Sequence, residues 1–141
     1  MSLTMLHYAG ASLKYKNFSN ADLTNACFRK AILVKANFSY ADLSNADFSG
    51  ANLKGADFTG AKLNGTLFRN AYMEGAELTD AVLQQTNCRG AHLCNANFIN
   101  ATLVLTDFSN ANLDGAIVSP GQLANARLTN AIVTADFGGL A

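Results

Sequence analysis

Nothing near the N-terminus of this sequence has the long apolar run of a signal peptide or membrane span. A soluble, cytoplasmic protein without membrane contacts is therefore expected. Cysteine is scarce and odd in number: Cys27, Cys88 and Cys94 lack metal-ligand spacing, which argues against a zinc site and for reduced thiols. Histidine is scarcer still, and His7 and His92 stand far apart with no acidic or cysteine cluster around them. There is no Gly-rich phosphate loop, because each glycine falls at a periodic position. Serine and threonine abound, yet no grouping of nucleophile, base and orienting residue can be named. Catalytic, cofactor and metal residues are thus expected to be none. Net charge is lacking too, with ten basic and ten acidic residues giving a formal balance of zero.

What the chain does have is a period of five. From Ala41 to Gly65 it reads ADLSN ADFSG ANLKG ADFTG AKLNG, with Leu43, Phe48, Leu53, Phe58 and Leu63 two places after successive alanines. The register extends from Ala11 and Leu13 to Leu128 and Val133 without an insertion. An amphipathic helix needs apolar steps of three and four, and a strand needs alternation by two. A sustained five fits neither. It suits a chain that turns a corner every five residues and sends alanine and Leu or Phe inward. Glycine or asparagine precedes most alanines, as at Gly50, Gly55, Asn70, Gly90 and Asn110, and both residues accept the positive φ of a type II turn.

Two ladders set the number of sides per coil. Threonine replaces alanine at Thr66, Thr86 and Thr106, a spacing of twenty. Phe18, Phe38, Phe58 and Phe98 share one column of a four-sided coil, and Phe28, Phe48, Phe68 and Phe108 another. Three sides would scatter both ladders. In the four-sided coil Cys88 points inward, and Cys27 lies about three coils away, roughly 14 Å at ~4.8 Å per coil, too far for a disulfide.

A central Leu or Phe, alanine two places before it, Asp or Asn between, and Ser, Thr, Lys or Arg after it resemble the signature of pentapeptide-repeat proteins. The resemblance covers essentially residues 11 to 134. It implies an all-β fold, a right-handed quadrilateral parallel β-helix with coils of twenty residues, six to seven in number. A single domain is expected over 1–141, with an irregular N-terminal coil or cap at 1–10, regular repeats over 11–134 and a C-terminal tail or cap at 135–141. Pro120 and Gly121 are expected to disturb the repeat. Phe137 and Leu140 are expected to cover the last coil, since open coil ends expose strand edges; a homodimer through that end is the alternative to a monomer.

Two outward groups are candidate interaction residues. Arg29, Arg69 and Arg89 share a column that could grip an acidic partner, weighed against a solvated face partly offset by Asp47 and Asp107. Ile99, Val104, Leu105 and Ile117 point outward on neighbouring sides, and a contiguous apolar patch suggests a partner site. Charge varies along the rod: Lys14, Lys16, Arg29, Lys30 and Lys35 outnumber Asp22 near the start, while Glu74, Glu77, Asp80, Asp107 and Asp114 outnumber Arg89 later. No side is expected to be dominated by Lys and Arg, so nucleic acid is not an expected partner.

These features favour a non-enzymatic module presenting rigid flat faces to a protein partner. The alternative comes from the resemblance, because relatives that protect DNA gyrase from quinolones are similar to B-DNA in size, shape and charge. Duplex DNA carries about one charge per 1.7 Å, so a ~30 Å mimic wants on the order of eighteen negative charges. Zero net charge and a register without loop insertions disfavour that reading.

Overall fold

The computed structural model describes residues 6–119 and 121–134. The expectations placed on Met1 to Met5, Pro120, Phe137 and Leu140 lie outside them. The chain is a right-handed quadrilateral parallel β-helix. Parallel bridges join the residue just before an apolar centre to the residue twenty further on, from His7↔Cys27 to Asn112↔Ile132, with Thr102 the exception among the described residues. One coil is therefore twenty residues and four sides. The first side stacks Phe18, Phe38, Phe58, Leu78, Phe98 and Val118. The second stacks Leu23 to Leu123, and the third Tyr8, Phe28, Phe48, Phe68, Cys88, Phe108 and Leu128. The fourth runs from Leu13 through Met73 to Val133.

The repeat Ala41–Asn45 shows why these residues make this coil. Five backbone N–H groups need partners, and each finds one. The Ala41 N–H closes the preceding turn on the Phe38 carbonyl (3.1 Å). The Asp42 N–H donates to the Ala21 carbonyl of the preceding coil (3.0 Å), and the N–H groups of Leu43 and Asn45 donate to the Lys62 and Asn64 carbonyls of the next (2.8 and 3.0 Å). That leaves Ser44, whose N–H donates to the Asp42 side chain (3.1 Å). An acceptor-bearing side chain two residues earlier is what an Asx turn requires. Asp or Asn before the centre is thus a backbone cap, and it recurs at Asn17, Asp47, Asp57, Asn97 and Asp107.

The corners match expectation. Every corner residue from Gly10 to Gly115, and again Asn130, has φ between 56° and 72°. Seven of the fifteen non-glycine corners are neither Asn nor Gly, among them Lys30, Tyr40 and Leu105, and they occupy a region that side chains enter at a cost. Gly60 shows the other constraint, because any Cβ there would meet the Tyr40 ring from the preceding coil.

Inside, alanine and the centres are almost wholly buried from Ala26 to Val118. The aromatic columns stack in parallel, with Phe28 and Phe48 centroids 4.8 Å apart at 2° and Phe38 and Phe58 5.2 Å apart at 6°. Across the interior they meet edge to face, as Phe58 and Phe68 do at 5.5 Å and 83°. Leu78 and Cys88 interrupt both columns in one coil. The threonine ladder lies on one wall, buried, with each hydroxyl donating to a corner carbonyl of the preceding coil: Thr66 to Leu43 (2.8 Å), Thr86 to Leu63 (2.6 Å) and Thr106 to Leu83 (2.6 Å).

One side departs from the pattern. Residues 121–125 form turns, and the Leu105 N–H pairs with the Asn125 carbonyl, twenty residues on instead of nineteen. Gln122 compensates with its side chain, whose Nε2 donates to the carbonyls of Phe98 and Ala101. Regular pairing resumes at Asp107↔Arg127.

Phe58→Ala is expected to cost about 3–5 kcal/mol in a denaturant melt, because it empties a fully packed column; a near-neutral result would contradict the inward packing. Thr86→Val keeps the shape and deletes the hydroxyl, so a loss of about 1 kcal/mol is expected by the same measurement.

Candidate interaction surfaces

The twenty-residue register sorts every outward side chain onto one of four walls, which changes one expectation. Read along the axis, basic and acidic residues alternate in dominance and cancel. Read around the axis, the third side holds Arg29, Lys30, Arg69, Arg89 and Arg127 against Asp47 and Asp107. The opposite, first side holds Asp57, Glu77 and Asp80 against Lys16. Zero net charge conceals a polarity across the rod.

Arg29, Arg69 and Arg89 do share a column, and all three are exposed. The position following each centre lies diagonally across from the position eighteen residues later. Arg29 accordingly donates to Asp47 (3.0 Å) and Arg89 to Asp107 (3.2 Å). Each guanidinium crosses a serine on the way, and Ser49 and Ser109 are buried. Burial pushes the Asp47 and Asp107 carboxyls up, but hydrogen bonds from Ser49 and Ser109 and from the two arginines outweigh it and hold both below the usual carboxylate range. The corresponding diagonal partner of Arg69 is Asn87. It carries no charge, and its Oδ1 already accepts the Arg89 N–H (3.1 Å). Among the described residues Arg69 has no ion pair.

Two grooves flank Arg69. One of about 430 Å³ is lined by Arg29, Lys30, Ser49, Gly50 and Tyr72 together with Arg69 and Asn70. The second, about 280 Å³, is lined by Arg69, Asn70, Arg89, Gly90 and Asn110. Gly50 lines the first groove and Gly90 the second, where the Asn70 side chain from the preceding coil lies in the place a Cβ at Gly90 would take.

The apolar candidates divide. Ile99, Val104 and Leu105 are exposed, at 45%, 40% and 58%, on the first and second sides, whereas Ile117 is only half-exposed and paired to Asn97. Leu105 stands at a corner with φ 58°, a strained setting for a bulky side chain that costs on the order of 1–3 kcal/mol. It borders a groove of about 590 Å³ shared with Asp107 and with Ala124 to Arg127, the stretch where the coil departs from its pattern.

Among the described residues no three His, Cys, Asp or Glu side chains converge on a place that could hold a metal ion. His92 stacks on Tyr72 with centroids 4.8 Å apart on the fourth side, and His7 is exposed near one end. Cys88 lies inside, where burial and the charge of Asp107 push its thiol pKa up, which makes it a poor nucleophile.

Comparison with known proteins agrees with this geometry. The family profile of pentapeptide repeats matches residues 9–39, 31–70 and 71–115 in eight copies. No curated protein matches the chain. Among solved structures, a pentapeptide-repeat protein of the Arabidopsis thaliana thylakoid lumen is 33% identical, over 75% of this chain and 70% of that one, with a TM-score of 0.46. A trypsin-treated form of QnrB1, a plasmid-mediated fluoroquinolone resistance protein, is 21% identical over 97% and 78%, with a TM-score of 0.52. HetL from the cyanobacterium Nostoc sp. strain PCC 7120, involved in heterocyst differentiation regulation, is 22% identical over 98% and 90%, with a TM-score of 0.44. With the profile covering most of the chain and the twenty-residue ladder carrying every side, the protein belongs to the pentapeptide-repeat family.

Proposed function

We propose that the protein is a non-catalytic docking rod that presents fixed side chains on flat walls to a protein partner. The observation that carries this reading is the filled interior. Stacked Phe and Leu columns occupy the space from Phe28 to Phe108, so only the outer walls can meet another molecule. Those walls are stiff, because each inner five-residue side is bonded along its backbone to the coils on either side. A rigid surface loses little conformational entropy on binding, which favours recognition of a partner without catalysis.

The likeness to QnrB1 is one of fold, and charge argues against extending it to gyrase. A DNA mimic needs a dense array of negative charge, while this rod balances acids and bases and places five of its ten bases on one wall. At micromolar protein we expect gyrase supercoiling to be unchanged, with or without quinolone; protection of the enzyme would overturn this choice.

The docking role itself is tested by affinity capture from the cells of origin with three forms of the rod. Wild type is expected to retain a protein that either Leu105→Asp or Arg69→Gln loses, with the melting of both variants unchanged. Retention of the same proteins by all three forms, or of none by wild type, would sink the proposal.

A further inference from the structure

We infer that the third side docks a carboxylate-rich segment of a partner protein, with Arg69 as the central contact. The inference rests on the docking role proposed above and names the wall and the chemistry of the partner.

The diagonal pairing on this wall follows one rule with one exception. An arginine after a centre meets the residue eighteen positions later, and that residue is Asp47 for Arg29 and Asp107 for Arg89. For Arg69 it is Asn87, occupied by its own turn. Among the described residues the middle guanidinium therefore faces solvent without a counter-charge, between two that have one. Its planar fork suits a carboxylate, which it can bind through two parallel hydrogen bonds. The grooves on either side share Arg69 and Asn70, and their floors at Gly50 and Gly90 are two coils apart, about 10 Å. Acidic side chains entering both grooves would meet Arg69 from each side, with Lys30 beside the first and Arg89 beside the second. The two existing ion pairs join exposed guanidiniums to half-buried carboxylates at the surface, and surface pairs contribute little, so the guanidiniums can turn to an incoming acid at small cost.

The same arithmetic favours a protein segment over nucleic acid. Duplex binding draws on a row of phosphate contacts, often six to ten, each releasing counterions. Among the described residues this wall offers three cations without an ion pair, Lys30, Arg69 and Arg127, well short of such a row. An acidic peptide needs only a few carboxylates in the two grooves.

The test uses a fluorescein-labelled deca-glutamate peptide, read by anisotropy at low and physiological salt. Saturable binding is expected, weakened about tenfold in Arg69→Gln. The more discriminating variant is Asn87→Asp, which removes no arginine and still caps the Arg89 N–H. It supplies the missing counter-charge, so binding should weaken about fivefold. Asp107→Asn, which frees Arg89, should tighten it. Asn112→Asp makes the same charge change in the next coil, on the fourth side, and should stay within about twofold of wild type.

Equal weakening by Asn112→Asp and Asn87→Asp would mean a general charge effect and overturn the site, as would no saturable binding at millimolar peptide. A labelled twenty-base-pair duplex that binds more tightly than the peptide, with the same dependence on Arg69, would assign the wall to nucleic acid instead. If the peptide result fails while Leu105→Asp still loses a captured protein, the docking role stands and this choice of wall does not.

Discussion

Everything in this molecule depends on the backbone hydrogen bonds that run between coils twenty residues apart. The residue before each centre turns both its N–H and its carbonyl toward the preceding coil, as Asp42 does to Ala21 and Leu23, while the alanine carbonyl accepts from the next coil. The centre and the corner residue add two further links. Because these bonds fix the register, they also fix which side chains are neighbours. A five-residue side leaves no room to slip: a shift by one residue would drive an Asp or Asn inward and expose a Leu or Phe. Register in a sheet is most strongly specified where one face is buried, and here every side has a buried face.

The interior then stabilises what the ladder positions. Parallel stacking within a column and edge-to-face contact between columns are the two arrangements aromatic rings favour, and the square section supplies both at once. The threonine ladder adds hydroxyls aimed at corner carbonyls, so a polar group is tolerated where alanine is usual. Each coil contacts only its neighbours, which makes stability a property of the array and not of any one repeat.

Much of this was legible in the residues. The period of five excluded helix and simple strand, Gly and Asn marked the corners, and Thr66, Thr86 and Thr106 counted the sides. The role of Asp and Asn before the centre was not legible as a cap, because the repeat shows only that a short polar residue is preferred there. Its purpose appears when the fifth N–H of each side is accounted for. Gln122 was hidden for a related reason: it occupies an ordinary outward position, and only the turn at 121–125 brings its amide to the carbonyls of Phe98 and Ala101. The arginine wall was half legible. Its column follows from the register, but charges read along the axis cancel, and the diagonal step of eighteen depends on how an arginine side chain lies across the face.

That diagonal step also relates the two candidate surfaces. Ile99 and Ile117 stand in the same positional relation on the first side as Arg29 and Asp47 on the third, so one register sets a charged pair of positions on one wall and an apolar pair on another. Where the rule is satisfied by opposite charges, the wall is internally neutralised. Where both positions are isoleucine, as at Ile99 and Ile117, the wall carries apolar surface instead. Where the rule fails, as between Arg69 and Asn87, a charge is left unmatched on an otherwise balanced wall. A solenoid built from one repeat has few other means of making one place on its surface different from the next. Departures from its own pairing rule are therefore the places where recognition by another molecule is most readily encoded.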